Sequence, residues 1–183
     1  MTTSKPLPNP SPSAQNNQNT STETMRDLNN SLKHDSLWAF ALKLYQQPGF
    51  SDLCIEWQDA HQINVCVLLT LCWVDANQLT ASPAQIEKAA ADWSRDVVEP
   101  LRRLRRTLKQ SLYFETTEEQ QEAFRGAVKT LEIQSEKYLL VALEQFILNG
   151  HIDVMNGKKQ NAAITYLVNH GVDSASIPQI LDL

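Results

Sequence analysis

The chain has 183 residues, of which 42% are hydrophobic and 20% charged, and its formal net charge is -5. This composition is typical of one soluble globular domain with a buried core. The negative charge excludes a general attraction for nucleic acid or anionic membranes, so either kind of binding requires a local patch. Only five glycines argue against a turn-rich all-β fold, and three cysteines argue against a disulfide framework.

The N-terminal segment is rich in Pro, Ser, Thr, Asn and Gln and contains almost nothing to bury. We interpret residues 1–34 as a disordered leader, because such a composition cannot offset the entropy lost on folding. The leader lacks the apolar centre of a secretory signal, which favours a cytoplasmic protein. We expect a helical domain over residues 35–172 and a short tail or last helical turn over residues 173–183.

Two short helices are predicted directly after the leader. In "SLWAFALKLYQQPGF" the apolar residues recur at helical spacing, and Pro48-Gly49 ends the helix. Ser51 is the predicted N-cap of the second helix, which places Cys54 and Trp57 on one face. Leu53, Ile55 and Trp57 also alternate, so a strand is the alternative for this segment.

The most apolar stretch is "INVCVLLTLCWV", Ile63 to Val74. Its 12 residues are too few for a membrane-spanning helix, which needs about 20. All its faces are apolar, which predicts a helix surrounded by others, with the Thr70 hydroxyl bonded back to its own helix.

Two longer helices follow, and each begins with a predicted capping box: Ser82 with Gln85, and Thr116 with Glu119. The first carries an apolar seam that passes through Pro100, so we expect a kink without a change of packing face. The second runs to Asn149-Gly150. The two predicted apolar faces consist of Ile86, Ala90, Trp93, Val97, Leu101, Leu104 and Leu108, and of Phe124, Val128, Leu131, Ser135, Tyr138, Ala142 and Phe146.

These elements predict an all-α fold. The expected architecture is a single-domain helical bundle with a buried central helix, a Pro-kinked helix and one long helix. A shorter helix in "NAAITYLVNHG" completes it, ended by Gly171.

No motif for a catalytic nucleophile, a phosphate-binding loop or a metal site occurs in the sequence. The four histidines lie far apart, and Cys66 and Cys72 are about 120° apart on a helix, which suits core residues better than a thiol site. We therefore predict no catalytic residues, no metal and no cofactor, and favour a protein that is not an enzyme.

The strongest local signal is the basic stretch "PLRRLRRTLK". On a helix, Leu101, Leu104 and Leu108 face inward, and the cations share an outer arc. This arc is the predicted partner-binding surface for an acidic protein. RNA phosphates are an alternative ligand, and a solvated helix end is the structural alternative. The arc consists of Arg102, Arg105, Arg106 and Lys109.

Four tryptophans fall one to each of the first four segments. They are typical of core anchors, but if they meet in one place they form an aromatic ligand pocket. If such a pocket exists, the protein is a small-molecule-binding protein or an enzyme. Its predicted residues are Trp38, Trp57, Gln58, Asp59 and His61.

Three motifs between Leu37 and Lys109 resemble those of a family of small bacterial proteins, described as conserved hypothetical proteins with a domain of unknown function. The patterns are "LW.FAL..Y..PG", "LQD.HG.DVN.LL...W" and "V..PLR.LRR.LK". This chain departs from them at Gln62, where Gly is expected, at Asn64, where Asp is expected, and at Cys66, where Asn is expected. The resemblance implies an all-helical cytoplasmic protein and no particular activity. The matching residues are Leu37, Trp38, Pro48, Gly49, Gln58, Asp59, His61, Val65, Trp73, Pro100, Leu101 and Arg102.

The sequence as a whole favours a cytoplasmic interaction or regulatory protein that binds an acidic protein partner through the arginine-rich helix face. The alternatives are a small-molecule-binding protein or enzyme with a tryptophan-lined pocket, and a weak RNA- or ribosome-associated binder. Membrane binding is not expected, and the oligomeric state is left open.

Overall fold

The computed structural model describes residues 35–110, 117–150 and 161–177, and all regular structure in these ranges is helical. The all-α prediction is therefore confirmed, whereas the predicted leader, residues 1–34, lies outside the described residues. In chain order the elements are α1 (Leu37–Tyr45), α2 (Phe50–His61), α3 (Val65–Ala76), α4 (Pro83–Trp93), a π-helical turn (Ser94–Val98), α5 (Glu99–Gln110), α6 (Glu118–Leu148), α7 (Ala162–Asn169) and a 3₁₀ turn (Ser174–Ser176).

The central helix is α3, and every one of its residues is buried. It packs against α1, α4, α6 and α7, which together surround its apolar faces. Its one hydroxyl, on Thr70, donates to the Cys66 carbonyl at 2.7 Å, as predicted. Among the described helices, none combines the length and the apolar character needed to cross a membrane.

Several helix ends differ from their predictions. Gly49, at φ 78°, is the N-cap of α2, so the prediction of Ser51 as the cap was wrong. Ser82 precedes Pro83 at the start of α4, but its side chain makes no capping hydrogen bond. The capping box of α6 is formed by Thr117 and Gln120, and the predicted Thr116 lies outside the described residues.

The largest departure lies at the π-helical turn between α4 and α5. The Glu99 N–H donates to the Ser94 carbonyl, five residues earlier, directly before Pro100. This turn adds one residue relative to an α-helix and moves the packing face by one position. The expectation of a kink without a change of packing face was therefore wrong. Beyond Ala90 the buried positions are Ser94 and Val98, and Arg102 and Arg105 are half-buried. Of the predicted seam on α5, Leu101 and Leu108 are half-buried and Leu104 is exposed.

The long helix α6 has 31 residues and is about 46 Å long. Of its predicted inner face, Val128 and Ser135 are buried as predicted. The prediction was wrong for Phe124, Leu131 and Tyr138, which are exposed. The buried face includes a charged residue, Glu132, which periodicity based on apolar residues alone passes over. The residues buried on α6 are Val128, Glu132, Ser135, Leu139, Leu140, Leu143, Ile147 and Leu148.

Candidate ligand-binding cavity

The change of packing face turns two predicted outward-facing arginines toward α6. The Arg102 guanidinium donates to Glu132 at 3.2 Å and to Glu136 at 2.5 Å. Arg105 donates to both carboxylate oxygens of Glu132, with the Nη2 bond at 3.1 Å. The predicted outer arc was therefore wrong for Arg102 and Arg105, which are half-buried between α5 and α6.

The two glutamates of this cluster have pKa values that differ in direction. Burial alone would raise the pKa of Glu132, but hydrogen bonds and charge from Arg105 and Arg102 outweigh it and hold that pKa below its ordinary value. For Glu136 burial prevails over the attraction of Arg102, and its pKa is raised. Glu132 is thus the fixed counter-charge of both arginines.

The other two predicted cations remain exposed. Arg106 donates to the Asp59 carboxylate of α2 at 2.8 Å, which links α5 to α2 across a groove. Lys109 is exposed at the end of α5. Whether these residues bind a partner stays a prediction, but the structure supplies acids from the same chain to Arg102, Arg105 and Arg106.

The predicted tryptophan pocket is brought together only in part. Trp57 is buried in the core, and His61 points toward the carbonyl of His170, with its Nδ1 3.2 Å away. Trp38 is half-buried, with the Lys137 ammonium 5.5 Å from its ring centre. Trp38, Gln58 and Asp59 do share one cavity.

This large cavity, of about 670 Å³, lies between α1, α2, α3, α5 and α6. Its wall unites Trp38, Gln58 and Asp59 with all four predicted cations of α5. Lys129 adds a fifth cation, and the carboxylates in the wall are Asp59, Glu132 and Glu136. The apolar part of the wall includes Ala41, Leu42, Ile55, Val65, Leu69, Ile133 and Leu140.

A small cavity of about 430 Å³ adjoins the large one. Four residues line both of them, and they form the partition between the two: Gln58, Asp59, Arg102 and Arg106. The small cavity is also lined by side chains from the start of α3, from the π-helical turn and from α5. These include Asn64, Ser94, Arg103 and Thr107.

Asn64 lines the small cavity and joins the start of α3 to the π-helical turn. Its Oδ1 accepts from the N–H groups of Cys66 and Val67, so it is the N-cap of α3, and its amide donates to the Ser94 hydroxyl at 2.7 Å. The resemblance leads one to expect Asp at this position, and both residue types can cap a helix. An Asn directly before an apolar run is a sequence signal for this role.

The cysteines are buried and make no disulfide. Burial raises the pKa of Cys54 to about 12, and it also raises the pKa of Cys66 and Cys72, so all three stay protonated at neutral pH. Within the described ranges no three His, Cys, Asp or Glu residues are grouped so that they could hold a metal ion.

The fold and its paired cavities define a class of protein, an all-helical bundle with a groove that combines apolar and cationic walls. By sequence the chain belongs to the family described as protein of unknown function (DUF2390), whose model matches residues 36–143. This match confirms the family resemblance inferred from the motifs. Neither the curated proteins nor the solved structures contain a match.

Proposed function

We propose that the protein binds an amphipathic anion, a small molecule with an apolar body and one anionic group, in the large cavity. The observation that carries this proposal is the composition of the cavity wall, in which apolar side chains stand beside five cations and three carboxylates. A volume of about 670 Å³ suits a small-molecule ligand.

The apolar body of the ligand has a suitable surface in this cavity. Trp38 and Leu42 of α1, Ile55 of α2 and Ile133 of α6 line it, and Leu42, Ile55 and Ile133 are exposed in the ligand-free protein. Covering exposed apolar surface yields roughly 25 cal/mol per Å². Filling the cavity therefore stabilises the complex.

The anionic group is favoured because cations outnumber carboxylates in the wall. Lys109 and Lys129 are exposed, which places positive charge on the solvent side of the cavity. Such an arrangement attracts anions and repels cations.

An acidic protein partner is the second candidate, favoured by the exposure of Arg103, Arg106 and Lys109 on α5. It receives less support from the geometry, because Arg102 and Arg105 face α6 and are neutralised by Glu132 and Glu136. The proposed small-molecule function uses the cavity that these ion pairs help to shape.

The test is calorimetric titration with decanoate and with uncharged 1-decanol. We expect decanoate to bind more tightly than 1-decanol, and Ile133→Gln to weaken decanoate binding about fivefold, since it removes about 1 kcal/mol of apolar contact. Leu131→Gln is the matched control, because Leu131 lies on the same helix and outside the cavity wall, with 53% exposure against 44% for Ile133.

The control variant should bind decanoate like the natural chain. Absence of binding by the natural chain would overturn the proposal, as would equal effects of the two substitutions. Equal affinity for decanoate and 1-decanol would show that the ligand's anionic group contributes nothing to binding, and would overturn that part of the proposal.

A further inference from the structure

We infer that Asp59 is an internal competitor for the ligand's anionic group, and that a bound ligand replaces the Asp59 carboxylate on Arg106. The inference rests on the proposed function and adds a specificity-determining residue to it. It also identifies the partition that a ligand opens between the large and the small cavity.

The position of this ion pair supports the inference. Asp59 on α2 and Arg106 on α5 line both cavities, and their contact of 2.8 Å crosses the groove. The side chains are 50% and 43% exposed, so the pair is largely solvated. Exposed ion pairs contribute little to stability, and little is therefore lost when another anion takes the place of Asp59.

The neighbouring arginines cannot exchange their partners in this way. Glu132, which holds Arg102 and Arg105, is only 6% exposed. Displacing it would leave a buried carboxylate without a counter-charge, which is costly. Glu136, the second partner of Arg102, is 27% exposed, against 50% for Asp59, so Arg106 has the most solvated carboxylate partner of the three arginines that were predicted to bind a partner.

The geometry also defines the ligand class. A guanidinium binds a carboxylate or a phosphate through two parallel hydrogen bonds, so either group can replace the carboxylate of Asp59. A ligand held there keeps its apolar body in the large cavity. Its polar end reaches the small cavity, where Gln58, Asn64 and Thr107 offer further hydrogen-bonding groups.

The experiment is calorimetric titration of decanoate into three variants of the full chain. Asp59→Asn should tighten binding about two- to fivefold, because it frees Arg106 from an exposed ion pair. Arg106→Gln should weaken binding about fivefold. In the Arg106→Gln background, the further change Asp59→Asn should bring no gain, because the competitor acts through Arg106.

Two matched controls separate this effect from a general change of charge. Glu56→Gln removes an exposed carboxylate of α2 outside both cavity walls, and Arg95→Gln removes an exposed arginine that pairs with Asp92 and Asp96. Both should bind decanoate like the natural chain. Circular dichroism checks that every variant is folded.

The inference is overturned if Asp59→Asn leaves decanoate affinity unchanged or weakens it. It is equally overturned if the gain persists without Arg106, because simple charge repulsion would then explain it. Either result leaves the proposed function intact as long as the natural chain binds decanoate and Ile133→Gln weakens that binding. Decyl phosphate is titrated in parallel. Whichever of the two probes binds more tightly must rank the variants as predicted, with Asp59→Asn above the natural chain and Arg106→Gln below it.

Discussion

Gln62 adopts a left-handed backbone conformation, with φ 56°, where α2 ends. Residues with a Cβ atom rarely adopt this conformation, whereas glycine adopts it without steric cost. The motif resemblance leads one to expect glycine here, and this backbone conformation is one that glycine favours. The sequence alone shows the departure but not the strain, because φ is set by how α2 meets α3.

The substitution Gln62→Gly should therefore stabilise the fold. We expect the free energy of unfolding to rise by about 0.5–1 kcal/mol, since the relief of strain exceeds the added entropy of the unfolded chain. Urea denaturation followed by circular dichroism measures it. Gln58→Gly is the control: it lies inside α2 and should lower stability by about 1 kcal/mol. A lower midpoint for Gln62→Gly would contradict the argument.

At the scale of elements, periodicity predicted which segments are helical, but it predicted the buried face of some helices and not of others. The assumption of a constant helical rotation of about 100° per residue holds along α4, where Ile86 and Ala90 are buried as predicted. It fails after the π-helical turn, because one added residue turns Arg102 and Arg105 toward α6 and leaves Leu104 exposed. The partner carboxylate, Glu132, was missed for a related reason, since a charged residue is not expected on a buried face.

Removing the charge of Glu132 tests this interhelical cluster. Glu132→Gln removes the carboxylate that pairs with Arg105 and one of the two that pair with Arg102, and both arginines are half-buried, so the free energy of unfolding should fall by about 3 kcal/mol at pH 7. Glu122→Gln is the control on the same helix, because its ion pair with Arg125 lies at the surface, and it should leave the urea midpoint nearly unchanged.

The pH dependence follows from the lowered pKa of Glu132. A carboxyl group whose pKa is lower in the folded state stabilises the protein above its unfolded value of about 4.5, and this contribution is lost as the pH falls through the folded pKa. The difference between the natural chain and Glu132→Gln should thus be full at pH 7 and shrink below about pH 4.5. A difference that stays constant down to pH 3 would show that Glu132 acts through packing instead.

At the scale of the whole molecule, the sequence predicted the buried centre well and the cavity poorly. Because α3 is apolar on every face, its burial can be predicted from its own sequence without knowledge of the other helices. The large cavity depends on α1, α2, α5 and α6 meeting at long range. Trp38 and Arg106 were therefore assigned to separate hypotheses, although one wall contains both.

The same long-range assembly fastens the C-terminal helix to the centre through Asp75, at the end of α3. Its two carboxylate oxygens accept from the N–H groups of Ala162 and Ala163, each at 2.9 Å, and the carboxylate is buried. Asn161, the residue before α7, provides no side-chain cap. Asp75 thus performs the N-cap function from 87 residues away, where it also meets the positive end of the helix dipole.

We therefore expect Asp75→Ala to lower the free energy of unfolding by about 2–3 kcal/mol, because two buried N–H groups lose a charged acceptor. Hydrogen exchange should show that the amides of α7 lose protection more than those of α3, since the anchor between the two helices is gone. Asp173→Ala is the matched control: Asp173 caps the exposed turn at Ser174–Ser176 and should change stability little. If both variants lose the same stability, or if α7 and α3 lose protection equally, Asp75 is not a specific anchor of α7. A greater loss of protection in α7 than in α3 shows that this helix is held to the core chiefly by one carboxylate on the central helix.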